Sequence, residues 1–180
     1  MLSAALIPLY CATLALAAPA PAASRLDLAG PAEPGVRLTV TGVLRDGRGR
    51  FVSGAELHVY QTDAGGRYTP EKPMDEPHAR LSGRLRTGPE GQFEIRTIRP
   101  GGYPKALRLG DRDRHIPAHI HLDVTAAGHP ERRLQLVFAD DPLLADPYWK
   151  DWVQRLGQPV LTVRPGEGGV VGKLLLTLAP

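Results

Sequence analysis

The sequence predicts an all-β protein: an antiparallel β-sandwich of about seven to nine short strands, with one short helix near the C-terminus. Three observations lead there. Glycine and proline are abundant, 20 and 18 among 180 residues, without low-complexity runs, which suits many short strands joined by tight turns. Apolar and polar residues alternate over short windows bounded by Gly, Pro and Asp, most cleanly over 55–61, where Ala55, Leu57 and Val59 fall on one face and Glu56, His58 and Tyr60 on the other. A helical pattern with its own start and stop signals occurs once, over 147–156, opened by Pro147 and closed by Gly157.

The other elements follow in order. Residues 36–44 are rich in β-branched side chains and read as a strand, and 46–49 (D-G-R-G) as a turn. The Gly-rich segment 62–67 turns the chain into Tyr68, and the Pro-rich, polar residues 70–79 read as a surface loop. Strands are expected at 80–87 and 92–96 around the turn 88–91. Gly101, Gly102, Tyr103 and Pro104 force a bend, and 105–116 read as irregular and basic. Residues 118–125 form a strand whose hairpin partner is 132–138, and 159–163 and 170–178 close the sandwich. Nothing repeats at a fixed period.

Composition bounds the function. The net charge is +3 with both signs interspersed, and no basic stripe with interleaved aromatics marks a nucleic-acid surface. The first 22 residues read as a secretory signal, apolar and short, ending in small-residue sites. The preferred cut follows Ala22 and the alternative follows Ala17. The apolar run is too short to span a bilayer comfortably, so a mature protein without a membrane span, secreted or periplasmic, is expected. Residues 23–35 read as a flexible leader and 36–180 as the sandwich domain. The single cysteine, Cys11, lies inside the signal, which removes disulfides and thiolate chemistry from the mature chain.

The chemistry concentrates in 114–124 (R-H-I-P-A-H-I-H-L-D-V). His119 and His121 are two apart, so on a strand they share a face with Cα atoms about 7 Å apart. Two imidazoles so held are half of a metal site, or solvated strand histidines. Asp123 shares their face, but on a straight strand it lies roughly 13 Å from His119, too far to share one ion without a bulge. Among the other histidines, His58, His78 and His129 read as solvated or structural, and His115 as a weak candidate. With no thiol left, further ligands must come from Asp, Glu or Tyr. Tyr68 and Tyr103 stand at loop apices, where sites are built. A trivalent cation ionises a phenol, and hard anionic oxygen in turn favours Fe(III).

Four stretches carry a resemblance: G-A-E-L-H-V-Y-Q-T-D-A-G-G-R-Y (54–68), L-S-G-R-L-R-T-G-P-E-G-Q-F-E-I-R-T-I-R-P-G-G-Y-P (81–104), P-A-H-I-H (117–121) and L-Q-L-V-F-A-D-D (134–141). Together they resemble the intradiol ring-cleavage dioxygenases, with a protocatechuate 3,4-dioxygenase-like core. The resemblance implies Fe(III) held by Tyr68, Tyr103, His119 and His121. It implies a small catecholic substrate and O2 as partners, with ring opening between the two hydroxyls to a muconate-type product. On the family pattern Tyr103 is the tyrosinate that leaves the iron and takes a substrate proton, and Gln135 supports the site from the next strand. The family's arginine before P-A-H-I-H is Ile116 here; Arg114 is expected to substitute for it, with Arg108 and Arg112 as weaker candidates. The aromatic that often follows the Tyr-Pro bend is Lys105. The basic residues 105–114 either favour a carboxylated catechol or form a solvated loop.

Two alternatives remain at this level. The text 42–63 and 87–103 also resembles transthyretin-like and carboxypeptidase-regulatory binding modules, although those stop near the P-G-x-Y element. A degenerate dioxygenase that binds iron without efficient turnover is the other. Trp149 and Trp152 offer a surface for a homo-oligomer, or cap the end of the sandwich.

Overall fold

A computed structural model of the chain describes residues 24–105 and 114–178. Among these, twelve strands follow one another: β1 (Arg25–Asp27), β2 (Arg37–Asp46), β3 (Glu56–Gln61), β4 (Leu81–Arg86), β5 (Gln92–Ile98), β6 (Tyr103–Lys105), β7 (Arg114–Ile116), β8 (His119–Thr125), β9 (Arg132–Phe138), β10 (Val160–Leu161), β11 (Val163–Gly166) and β12 (Gly169–Leu178). One α-helix, α1 (Pro147–Arg155), precedes β10, and short 3-10 turns lie at Glu76–His78 and Pro142–Ala145. None of these helices is long and apolar enough to cross a membrane.

Two five-stranded sheets, ordered β1-β5-β2-β12-β11 and β10-β9-β8-β3-β4, make the sandwich, and β6 and β7 pair as a separate ribbon. The alternation in the sequence decides what lies between them. Leu57 and Val59 of β3, Ile120, Leu122 and Val124 of β8, and Leu134 and Leu136 of β9 meet Leu38, Val40, Leu44, Phe93, Ile95, Leu174, Leu176 and Leu178 of the other sheet. Each such side chain contributes about 1.5–3 kcal/mol relative to exposure, an upper bound on an extended-chain reference.

Three expectations need correction. The sheets are mixed: β12 runs parallel to β2 over nine residue pairs, and β1 and β10 run parallel to β5 and β9. Alternation dictates which side chains face the core, not the direction of the neighbouring strand. The leader contains structure, because β1 adds to the edge of the first sheet while Leu26 and Leu28 pack against the core. Part of the irregular segment is a strand, since Ile116 pairs with Tyr103 across β6 and β7. The proposed signal, residues 1–22, lies outside the described residues.

The helix forms as expected. The Asp146 side chain accepts from the Tyr148 N–H at its start, and Gly157 takes φ +58° just past its end.

Candidate metal centre

His119 and His121 project from β8 on the side away from the sandwich core, because Ile120 and Leu122, which alternate with them, point inward. They are nevertheless buried, 4% and 5% exposed. The cover comes from the loop after β3, the β6–β7 ribbon and α1, whose Tyr68, Tyr103, Ile116 and Trp149 form a second apolar cluster.

Backbone packing brings the two tyrosines together. The Gly66 φ of +77° belongs to the left-handed region, and a Cβ there would collide with the Gly102 carbonyl oxygen. A Cβ at Gly101 would stand 2.6 Å from the Ala64 carbonyl oxygen. The Gly-Gly-Arg-Tyr and Gly-Gly-Tyr-Pro turns therefore touch backbone to backbone. The Gly101 N–H donates to the Asp63 carbonyl at 2.9 Å, and the Thr62 hydroxyl to the Gly101 carbonyl at 2.8 Å. Asp63 Oδ1 accepts from the Gly65 and Arg67 N–H groups and holds the first turn in shape. Gly66→Ala is expected to cost about 2–4 kcal/mol through strain and collision, measured by urea denaturation; a loss under about 0.5 kcal/mol would show that the turns are not so tightly joined.

Four donor atoms converge. His119 Nε2 lies 3.0 Å from His121 Nε2, His121 Nε2 lies 2.9 Å from Tyr68 Oη, and Tyr68 Oη lies 3.2 Å from Tyr103 Oη. His119 Nδ1 is 2.8 Å from the Pro117 carbonyl oxygen, which can only accept, so Nδ1 carries the proton and Nε2 presents its lone pair to the cluster. His121 Nε2 has one in-plane position, for which two partners at 2.9 and 3.0 Å compete. Ligands bound at about 2.0 Å to one ion sit about 3–4 Å apart, so four donors this close could share a cation as well as hydrogen bonds. Two histidines and two phenols supply the donors. Among the described residues no three His, Cys, Asp or Glu side chains gather as a metal group.

The electrostatics agree with that requirement. Burial, then the Tyr103 contact and the charge of Glu76, push the Tyr68 hydroxyl far above its ordinary range. Burial also pushes up Tyr103, opposed in part by its hydrogen bond with Tyr68. Both phenols therefore stay protonated at neutral pH without a cation to ionise them.

The remaining expected residues fall as follows. Gln135 is half-buried on β9 and is the direct cross-strand neighbour of His121. Ile116 is 8% exposed and packs with Tyr68, Tyr103 and Trp149, so the arginine position of the family pattern is part of an apolar wall. Arg114 begins β7 with its backbone paired to Lys105; Arg108 and Arg112 lie outside the described residues. Asp123 faces His58 at 3.6 Å, His78 pairs with Asp75, and His115 is exposed.

Sequence reasoning missed Tyr60 and Glu76. The Tyr60 ring stacks on the His121 imidazole at 4.2 Å and 5°, and its hydroxyl donates to Glu76 Oε1 at 3.2 Å. Tyr60 alternates with Leu57 and Val59 on the polar face of β3, and only the register opposite His121 gives it a role.

A family model for dioxygenases, Dioxygenase_C, matches residues 7–166. The chlorocatechol 1,2-dioxygenase of Rhodococcus opacus is 36% identical over 121 residues, 62% of this chain and 47% of that protein. The protocatechuate 3,4-dioxygenase beta chain of Burkholderia cepacia is 34% identical over 123 residues, 64% of this chain and 51% of that one. The chain belongs to the intradiol ring-cleavage dioxygenase family. It spans about half the length of these curated relatives. The dioxygenase domain of a dioxygenase carbohydrate-binding protein fusion from Streptomyces sp. SirexAA-E superposes with a TM-score of 0.64 at 28% identity, covering 85% of this chain and 86% of that one. Catechol 1,2-dioxygenase from Pseudomonas arvilla C-1 shares the fold, with a TM-score of 0.71 at 23% identity over 87% of this chain and 56% of that one. The binding-module alternative gains no support from these intradiol relatives.

Proposed function

We propose that this intradiol family member is a non-haem Fe(III) dioxygenase that opens a catechol-type ring between its two hydroxyls with O2, giving a muconate-type product. The observation that carries the reading is the convergence of Tyr68 Oη, Tyr103 Oη, His119 Nε2 and His121 Nε2 through contacts of 2.9–3.2 Å. Bound there, ferric iron supplies Lewis acidity and a template for catechol and O2.

The chain's own residues do the rest. His119 is held in one tautomer by the Pro117 carbonyl, and His121 is braced by the Tyr60 ring. Ile116 and Trp149 keep bulk water from the phenols. Tyr103, ionised to the tyrosinate when the iron is bound, would take the proton of one catechol hydroxyl on Oη, and Gln135 supports the site from β9. Arg114 replaces the arginine that the family pattern has at Ile116. On this reading Arg114→Ala lowers kcat/KM roughly tenfold to a hundredfold, measured by steady-state oxygen uptake; unchanged kinetics would remove Arg114 from the site. Residues 1–22 act as a secretory signal, so the mature protein is extracytoplasmic, and its N-terminal mass distinguishes a cut after Ala22 from one after Ala17.

The deciding experiment is purification from iron-replete cells. A red-brown protein that consumes O2 with a panel of catechols is expected, the colour arising from tyrosinate-to-iron charge transfer. Colourless, iron-free protein overturns the reading. Colour without oxygen uptake reduces it to iron binding without turnover.

A further inference from the structure

The residue beside the metal centre that the ligand set does not use is Glu76. It opens the 3-10 turn Glu76–His78, on the connection that runs from Tyr68 to β4. Its Oε1 accepts the hydrogen bond from Tyr60 Oη at 3.2 Å and lies 3.8 Å from His121 Nε2. Its charge raises the hydroxyls of both Tyr68 and Tyr103. The carboxylate thus faces the donor cluster from one side. Its side chain is 40% exposed, so it borders the open edge of the site rather than its sealed interior.

The Tyr60 ring that holds Glu76 belongs to the aromatic cover of the site. Tyr60, Tyr148 and Trp152 pack onto the cluster formed by Tyr68, Tyr103, Ile116 and Trp149. Trp149 meets Tyr148 and Trp152 edge-on, at 5.0 and 5.7 Å between ring centroids. A carboxylate attracts a cationic group and repels an anionic one.

Resting on the reading of the site as a catechol dioxygenase, we propose that Glu76 selects substrates by charge, admitting catechols whose ring substituent is neutral or an ammonium group and disfavouring carboxylated catechols. Tyr60 acts with it as a positioning residue: its hydroxyl holds the carboxylate while its ring holds His121. On this proposal a catechol whose two oxygens met the donor cluster would carry a ring substituent toward Glu76, whose side chain is 40% exposed.

The test is equilibrium binding to the iron-loaded protein without oxygen, read from the shift of the charge-transfer band. The probes are catechol, 3,4-dihydroxybenzoate and 4-(2-aminoethyl)catechol, the latter two referenced to catechol. The wild-type protein is expected to bind the aminoethyl compound at least about tenfold more tightly than the carboxylate. Glu76→Gln, which keeps the size and an acceptor for Tyr60, is expected to bring the two within about threefold of each other. Glu76→Lys is expected to reverse the order. A wild-type preference for the carboxylate, or a ratio left unchanged by both substitutions, overturns the charge selection alone. A charge-transfer band that none of the three probes perturbs overturns the reading of the site, and the selection with it.

Discussion

His119→Ala is expected to give a folded protein that holds less than about a tenth of the wild-type iron and has lost its colour. The size of the effect follows from the geometry. His119 is 4% exposed, and its ring orientation is fixed by the Nδ1 contact to Pro117. Its Nε2 forms one end of the row of donors that runs through His121 and Tyr68 to Tyr103. Among the described residues, Asp123 is turned to His58, and the exposed His115 belongs to β7. The fold survives because β8 is anchored from its other face by Ile120, Leu122 and Val124. The N-terminal end of β8 is also fixed without the imidazole, since the Ala118 N–H donates to Asp141 Oδ2 at 2.8 Å. Metal analysis and visible absorbance check the result, with His115→Ala as the control that keeps both iron and colour. Full iron occupancy with unchanged colour in His119→Ala would remove this residue from the ligand set.

What could be read in advance follows a physical division. The alternation of β3, the hairpin of β8 and β9, and the start and stop of α1 are local, and the structure forms them within a residue or two of the expected bounds. The parallel pairing of β12 with β2 joins segments more than a hundred residues apart, and nothing in either strand encodes its partner's direction. The strand in the leader was hidden for a related reason: β1 is three residues long and is held by the edge of β5, not by its own pattern. The four proposed ligands were legible because resemblance supplied the pairing of distant tyrosines with the H-x-H strand. Alternation alone left His119 and His121 open between ligands and solvated residues. Trp149 was expected to cap the sandwich or make an oligomer contact; it is buried against Tyr68 and Tyr103. Glu76 was lost in a loop whose Pro and charged residues read as surface. A loop's composition does not reveal which of its side chains folds back, and here the hydroxyl of Tyr60 decides it.

Tyr103→Phe is expected to leave the fold and the iron largely in place while lowering turnover by about a hundredfold or more. The two tyrosines are not equivalent. Tyr68 Oη touches both His121 and Tyr103, whereas among the described residues Tyr103 Oη meets Tyr68, at 3.2 Å. Tyr103 is therefore the terminal donor, and its departure leaves the other three in mutual contact. Its ring stays packed without the hydroxyl, edge-on to Tyr68 at 5.6 Å and tilted against His119 at 5.7 Å. Its backbone is pinned by pairing with Ile116. The stability cost should stay near that of one buried hydrogen bond, about 1 kcal/mol. On the proposed mechanism phenylalanine removes the oxygen that would accept the catechol proton, so the loss should fall on kcat. Tyr68→Phe provides the contrast: it breaks two contacts in the middle of the row and should lose iron as well as activity. Visible absorbance, metal content and oxygen uptake measured on both variants separate the roles. Should Tyr103→Phe lose iron while Tyr68→Phe keeps it, the leaving ligand would be Tyr68.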